Sequence, residues 1–173
     1  MLRFLTGTKM AIAWTIVRIW LGIQWLEAGY YKIKQQGFDA GGFIQGAIAN
    51  ARGNSPTVQG WYASFLETQV LPNIELFNIL IPWGEFLVGL GLIIGLATIP
   101  ALLAGAFMNI NFILAGVGLN SLDTKLFIVA MILVLIGSAR SYYGLDRFAV
   151  PTIKRLIYKN EVKKEKVSAL KSN

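Results

Sequence analysis

Four long apolar runs alternate with more polar segments along the chain, over residues 11–31, 76–99, 101–119 and 126–145. A helix of about 20 residues crosses the roughly 30 Å hydrocarbon core of a bilayer, because each residue adds about 1.5 Å. The pattern therefore predicts an all-α integral membrane protein whose four helices form a bundle. We assign residues 1–145 to this bundle and residues 146–173 to a basic tail.

The second and third runs are separated only by Pro100. Residues 76–119 carry a single charge, Glu85, and a helix over all of them would be about 66 Å long, more than one crossing requires. Proline removes a backbone donor and disfavours helical geometry at the residue before it. We therefore place a helix end at Pro100.

The composition supports a membrane protein. Hydrophobic residues make up 55% of the chain and charged residues 14%, against about 25% charge in a typical soluble domain. The alternatives are a large soluble helical core, and a signal peptide in the first run after Arg3 and Lys9. That run is long for a signal peptide, carries Arg18 at its centre and lacks a small-residue cleavage site. A membrane helix is the better interpretation.

The chain contains no histidine and no cysteine. Zinc sites, iron–sulfur clusters, most haem sites, Ser-His-Asp triads and cysteine nucleophiles need one or both of these residues. We therefore expect no cofactor bound covalently or through a metal. Redox chemistry would require a diffusing co-substrate, or a partner that carries the redox centre.

Positive charge is concentrated from the end of the fourth run onward. Nine basic residues lie there: Arg140, Arg147, Lys154, Arg155, Lys159, Lys163, Lys164, Lys166 and Lys171. The loop at residues 120–125 has only Lys125, so the positive-inside rule predicts a multi-pass cell-membrane protein with both termini in the cytoplasm. Arg140 must then extend to the inner interface. The tail is either solvated or attracted to anionic lipid head groups, and nucleic acid is not an expected partner.

The first loop, residues 32–75, lies outside the cell in this topology. Apolar residues with helical spacing occur in two groups, which are Phe43, Ile44 and Ile48, and Trp61, Tyr62, Phe65 and Leu66. Residues 52–56, Arg-Gly-Asn-Ser-Pro, form a turn cluster between them. We predict two short amphipathic helices that cap the outer mouth of the bundle. The alternative is an irregular loop anchored by its aromatic residues.

Three polar residues lie inside the apolar runs at depths that would let them meet. Arg18 and Asn109 lie about 10 Å from the inner surface on runs of the same direction, and Glu85 lies nearer the midplane. Charges inside a span are costly and by default mark function. The two interpretations are a structural ion pair with an amide partner, and a polar pocket for a ligand head group or a proton.

Glycines share helix faces with these polar residues. The faces are Arg18, Gly22, Trp25, Gly29 and Lys32 in the first run, Gly84, Gly91 and Gly95 in the second, and Gly105, Asn109, Phe112 and Gly116 in the third. Small residues at this spacing bring helix backbones together, or else they admit a flat ligand. Glu27 lies across the first helix from Arg18, as a proton acceptor or an interfacial salt-bridge partner.

A motif in the first run resembles a known family. Residues 18–33 contain Leu-Glu-Ala-Gly followed by Lys32, the second run continues Glu85 with a glycine-rich stretch, and the third carries Asn109. Over roughly residues 10–145 the chain resembles the DoxX/DoxD superfamily, most closely the DoxD-like subunit of thiosulfate:quinone oxidoreductases. The resemblance implies a four-helix membrane bundle and electron transfer from thiosulfate, or a related sulfur compound, to a membrane quinone.

The same resemblance implies partners and roles. A second oxidoreductase subunit is the implied partner, and membrane lipid and further copies of the chain are candidates. For a quinone co-substrate, the candidate binding residues are Arg18, Trp25, Lys32 and Asn109, and the candidate catalytic residues are Glu85 and Glu27.

Two other functional classes are compatible with the sequence. One is a small transporter or channel in which Arg18 and Glu85 bind a solute near the midplane. The other is a noncatalytic membrane anchor or assembly factor that docks through its outer cap and its basic tail.

Overall fold

The computed structural model describes residues 7–35, 37–137, 143–155 and 158–159. This part of the chain is helical and contains no strand, as the all-α prediction requires. In chain order its main helices are α1 (Thr8–Lys34), α2 (Gly41–Ala51), α3 (Gly60–Phe65), α4 (Ile74–Ile94), α5 (Thr98–Phe112) and α6 (Leu122–Leu135). Residues 146–155 are also helical. Outside the described residues lie Arg140 and the tail lysines Lys163, Lys164, Lys166 and Lys171.

Two helical stretches are long and apolar enough to cross a membrane, by length and composition. One is Gly60–Ile94, with 35 residues, and the other is Thr98–Val117, with 20 residues. α1 has sufficient length at 27 residues, but its polar residues lower its mean hydropathy. α6 ends after 14 residues, short of the about 20 that one crossing needs. Length and hydropathy therefore favour membrane association through these two stretches.

The turn between α4 and α5 lies at residues 95–97. The prediction from the sequence, a helix end at Pro100, is therefore wrong. Gly95 ends α4 in the left-handed conformation, with φ of 71°, which glycine adopts at little cost. Pro100 lies inside the first turn of α5. Backbone N–H groups there have no intrahelical partner in any case, so this proline is compatible with the start of a helix.

The first loop forms the two predicted helices, and they have an apolar core of their own. Ile44 and Ile48 of α2 are buried together with Tyr62 of α3 and with Ala115. Ala115 belongs to the π-helix Ile113–Val117, which continues α5. An irregular loop is therefore wrong for this region.

The second of these helices, α3, continues into α4. The sequence pattern predicts a separate short helix here, and in this respect the prediction is wrong. The π-helix Leu66–Val70 and the 3₁₀ turn Leu71–Asn73 continue α3 into α4. Pro72 lies at the start of the 3₁₀ turn, between the π-helix and α4. The chain therefore stays helical from Gly60 to Ile94.

α1 and α4 pack antiparallel and very closely because glycines lie at their interface. A Cβ atom at Gly89 would lie 2.6 Å from the Cα of Leu26, and one at Gly29 would lie 2.8 Å from the Cα of Phe86. Both separations are closer than real Cβ contacts allow. Gly22 and Gly29 thus form a packing surface, as the sequence suggested for this face.

On α4 the glycine of closest approach to α1 is Gly89, which was not among the predicted Gly84, Gly91 and Gly95. Gly84 instead contacts the side chain of Met108 on α5. We call α1, α4, α5 and α6, which pack against one another, the bundle. Its interior beside these contacts is apolar and consists mainly of Leu21, Trp25, Val88, Leu92, Leu102, Leu126 and Leu133.

Candidate functional site

A cavity of about 370 Å³ lies at the end of the bundle that α2 covers, which we call the capped end. α1, α4, α5 and the start of α6 contribute to its wall, together with residues 38–43. Much of the wall is aromatic and consists of Trp25, Phe38, Phe43 and Phe112. Small-molecule sites typically have volumes of about 300–1,000 Å³ and mostly apolar walls, so this cavity has the size and surface of a ligand site.

Lys32 and Glu85 form a salt bridge in the wall of this cavity. The Nζ atom of Lys32 lies 2.5 Å from Oε1 of Glu85, and the side chains are 28% and 2% exposed, respectively. The pairing follows from the packing of α1 on α4. Gly29 lets α1 lie directly against Pro82 and Phe86, which brings Lys32 alongside the intervening Glu85.

The Lys32 ammonium group also faces two aromatic rings. Its Nζ lies 5.4 Å from the ring centroid of Phe38 and 5.9 Å from that of Phe112, within the about 6 Å range of cation–π interactions. Phe112 contacts Phe43 edge to face, with centroids 6.2 Å apart. The ion pair is therefore adjacent to apolar surfaces that a flat ring could stack on.

Two buried residues of the wall have polar atoms with no hydrogen-bond partner in the described part of the chain. Asn109 is 0% exposed, and both its Oδ1 and its Nδ2 are unpaired. The second carboxylate oxygen of Glu85, Oε2, is also unpaired. An unpaired buried polar atom costs about 1–3 kcal/mol, and more if it is charged. These three atoms are therefore where a ligand would gain most from hydrogen bonds.

Asp39 fixes the segment that covers the cavity. Its Oδ1 accepts hydrogen bonds from the backbone N–H of Gly41 at 2.8 Å and from Nδ2 of Asn78 at 3.2 Å. Oδ1 of Asn78 in turn accepts from the backbone N–H of Ala40 at 2.8 Å. These bonds attach the start of α2 to α4 and so hold the residues on both sides of Asp39 over the cavity.

Four of the six predicted site residues line this one cavity, namely Trp25, Lys32, Glu85 and Asn109. Glu27 is exposed and lies outside the cavity lining. It follows Trp25 by two positions on α1, and residues at that spacing point to nearly opposite sides of a helix. The geometry therefore gives Glu27 no access to a ligand bound here.

Arg18 does not meet Glu85 and Asn109, and the predicted three-residue cluster is wrong in this respect. Its side chain is 1% exposed, and its Nη2 donates a hydrogen bond to the carbonyl of Tyr143 at 3.2 Å. The guanidinium lies beside Gly95 at the other end of the bundle.

The reason is the register of α1 on α4. The contacts of Gly22, Gly29 and Gly89 place Lys32 opposite Glu85 and Arg18 opposite the end of α4. Arg18 and Lys32 are fourteen positions apart on α1, about 21 Å along the helix axis. Depth counted from the ends of the apolar runs could not detect this register.

At the end of the bundle where Arg18 lies, Asp146 links the end of α4 to the start of α5. Its carboxylate accepts hydrogen bonds from the backbone N–H groups of Ala97 and Thr98, both at 2.8 Å, and so caps the start of α5. Its own N–H donates to the carbonyl of Gly95 at 2.8 Å. The Arg18 guanidinium also lies beside Gly95, so these contacts form a junction between α1, the end of α4 and the start of α5.

Sequence reasoning missed several residues of the cavity wall, including Gln24, Asp39 and Asp123. Asp39 and Asp123 lie near the starts of α2 and α6, where a carboxylate is ordinarily read as a helix cap. Gln24 offered a signal, since it is a polar residue inside an apolar run next to Trp25.

Comparison of the chain with protein-family models, curated proteins and solved structures finds no match. The functional argument therefore rests on the cavity at the capped end and on the residues that line it.

Proposed function

We propose that this chain is a subunit of a quinone-linked membrane oxidoreductase and that the cavity at the capped end binds the quinone. The electron donor in this proposal is thiosulfate or a related sulfur compound, oxidised on a second subunit. One observation carries the proposal, namely aromatic walls around three unpaired, buried polar atoms of Glu85 and Asn109.

The residues of the wall suit a flat, uncharged ring with oxygen substituents. Trp25, Phe43 and Phe112 offer apolar surface for stacking, and the amide of Asn109 both donates and accepts hydrogen bonds. Quinone reduction consumes two electrons and two protons. In this proposal the electrons come from the sulfur compound through the partner subunit, and the protons reach the ring from the Lys32 ammonium group through the Glu85 carboxylate.

The charges around the cavity argue against binding of the sulfur compound in the same place. Three carboxylates belong to the wall, those of Asp39, Glu85 and Asp123, against the single cation of Lys32. A dianion such as thiosulfate would be repelled by this surplus of negative charge. This supports the assignment of the quinone, and not of the electron donor, to this chain.

The proposal includes four membrane crossings, with both termini in the cytoplasm and the capped end outside. Large apolar side chains on α1, α4, α5 and α6 are exposed, and examples are Ile16 (63%), Leu87 (58%), Phe107 (68%) and Ile132 (43%). Monomeric soluble proteins rarely expose large contiguous apolar surfaces, so a lipid environment accounts for this surface. The excess of basic residues after α6 supports the orientation.

Thiosulfate-dependent reduction of a soluble quinone analogue in membranes tests the function. We expect this activity in membranes that contain the chain and its partner, and we expect it to be lost in a deletion strain. The variant Asn109→Leu should lower the rate strongly. Asn111→Leu is the matched control on the same helix. The side-chain amide of Asn111 accepts a hydrogen bond from the Tyr62 hydroxyl and donates one to the Phe107 carbonyl, and Asn111 lies outside the cavity lining.

Equal quinone reduction in the deletion strain would discard the oxidoreductase function. Solute flux through liposomes containing the purified chain would then favour the transporter, and absence of flux would favour the anchor.

A further inference from the structure

The unpaired atoms in the cavity wall are unevenly divided between donors and acceptors. Glu85 Oε2 and Asn109 Oδ1 are acceptors, and only Asn109 Nδ2 is a donor. Reversing the amide of Asn109 would not change this count, because both of its polar atoms are unpaired. Glu85 bonds the Lys32 ammonium through its other oxygen, and an ionised carboxylate can only accept. A ligand that pairs all three atoms must bring two hydrogen-bond donors and one acceptor.

Lys32 does not offset this imbalance in the buried part of the cavity. Its ammonium group has further N–H donors, but the side chain is 28% exposed and faces the rings of Phe38 and Phe112. Those donors can be hydrated or can interact with the rings. Glu85 and Asn109, at 2% and 0% exposure, are withdrawn from bulk solvent.

A quinone and its hydroquinone differ in their ability to donate hydrogen bonds, which is what the unpaired acceptors of the cavity wall require. The carbonyl oxygens of a quinone only accept hydrogen bonds, whereas each hydroxyl of a hydroquinone donates one and can also accept one. A quinone carbonyl next to Glu85 Oε2 would bring two acceptors together with no proton between them. A hydroxyl in the same place supplies that proton.

We propose that this cavity binds the hydroquinone form more tightly than the quinone, with ring hydroxyls donating to Glu85 Oε2 and Asn109 Oδ1 and accepting from Asn109 Nδ2. The inference rests on the proposed function, since it selects one redox form of the ligand class already assigned to the cavity.

The preference has a consequence for electron transfer. The half-reaction is quinone plus two electrons and two protons to hydroquinone, and the electrons come from the sulfur compound through the partner subunit. Tighter binding of the product raises the midpoint potential of the bound couple, by about 30 mV for each tenfold preference. The cavity therefore makes the quinone a stronger acceptor of electrons while it is bound.

Four ligands with the same alkyl tail separate the contribution of hydrogen-bond donation from those of the ring oxygens and the tail. Binding to the full chain in detergent, without oxygen, is measured for decyl-para-hydroquinone, decyl-para-benzoquinone, the dimethyl ether of the hydroquinone, and decylbenzene. The dimethyl ether keeps the ring and both oxygens but cannot donate. We expect the hydroquinone to bind at least about tenfold more tightly than both the quinone and the ether, since it alone donates to a buried charged acceptor.

The variant Glu85→Gln tests the role of the carboxylate, because an amide adds a donor at this position. The preference for the hydroquinone should fall to about threefold or less, since the charge that strengthens the hydrogen bond is gone. Glu85→Gln alone leaves the Lys32 charge unpaired. The double variant Lys32→Met/Glu85→Gln removes both charges, so it can be tested if the single variant does not fold. Glu75→Gln, an exposed position at the start of the same helix, is the matched control and should keep the full preference.

The outcomes distinguish the inference from the proposed function. If quinone and ether bind as tightly as the hydroquinone, and all three exceed decylbenzene, the redox preference is overturned and the quinone-class site stands. If none of the three exceeds decylbenzene, the site itself and the inference both fail. A preference that survives unchanged in Lys32→Met/Glu85→Gln also overturns the inference, because the carboxylate would not be its cause.

Discussion

Lys32 and Glu85 are 53 positions apart in the chain, and the salt bridge between them joins the end of α1 to the middle of α4. Glu85 is the single charge in residues 76–119, and its partner comes from the end of a neighbouring helix and not from Arg18 in the interior. One carboxylate oxygen of Glu85 bonds Lys32, and the other is buried and unpaired in a residue that lines the cavity. The same contact therefore stabilises the α1–α4 interface and provides the polar group of the candidate site.

Breaking this pair should destabilise the protein strongly. Lys32→Met leaves the buried carboxylate of Glu85 without a partner, and we expect a loss of about 3 kcal/mol. This is the low end of the about 3–5 kcal/mol measured for buried pairs, because Lys32 is 28% exposed. Thermal unfolding in detergent measures the effect.

Two further variants complete that experiment. Lys34→Met removes an exposed lysine from the same helix end and should cost about 0–1 kcal/mol. Lys32→Met/Glu85→Met removes both charges and should recover much of the stability lost in the single variant. Equal effects of Lys32→Met and Lys34→Met would show that the salt bridge adds nothing.

The close approach of α1 and α4 makes Gly89 intolerant of a side chain. Gly89→Ala would place a Cβ 2.6 Å from the Leu26 Cα, and separation of the two helices should cost about 1–3 kcal/mol, as overpacking does. Gly46→Ala is the control, because Gly46 lies in α2 with open space around it and alanine favours helix by about 1 kcal/mol. An unfolding midpoint for Gly89→Ala as high as that for Gly46→Ala would contradict the register described for α1 and α4.

Asp146 should stabilise the junction at the end opposite the cavity. Asp146→Ala removes two hydrogen bonds to the start of α5, and loss of such a cap costs about 0.5–2 kcal/mol. Asp146→Asn keeps one side-chain acceptor and should lose less. Quinone binding should be nearly unchanged in both folded variants, since the cavity lies at the other end. A selective loss of ligand binding would contradict this separation.

The proposed topology is open to a direct test. A reporter fused after Asn173 should be active only in the cytoplasm. Because the chain has no cysteine, Gly53→Cys creates a single thiol in the exposed segment after α2, and an impermeant maleimide should label it in intact cells. Labelling only after the membrane is opened would reverse the proposed orientation.

The apolar pattern was sufficient to predict the helical class, the two helices of the first loop and most of α4 and α5. It misplaced the break between α4 and α5 because a proline is equally compatible with the end of one helix and the first turn of the next. The left-handed backbone at Gly95 and Ala97 distinguishes the two, and glycine occurs so often in these helices that its identity gives no signal.

The candidate site was predictable to a similar degree. Lys32, Glu85 and Asn109 could be selected because polar residues stand out in apolar helices. The partner of Glu85 could not be chosen, because it depends on which glycine of α4 meets α1. Phe43 lines the cavity only because the hydrogen bonds of Asp39 bring α2 over the bundle, a tertiary relationship that no local pattern carries.

Photoaffinity labelling with an azide-bearing quinone analogue tests the central claim most directly, since it reports where the ligand lies. The account predicts cross-links within residues 24–43 and 109–126, which hold most of the cavity wall. It also predicts that excess quinone displaces the label and that Asn109→Leu, but not Asn111→Leu, abolishes it. Labelling spread over exposed apolar positions such as Leu87 and Phe107, insensitive to competitor and to Asn109→Leu, would contradict a quinone site in this cavity.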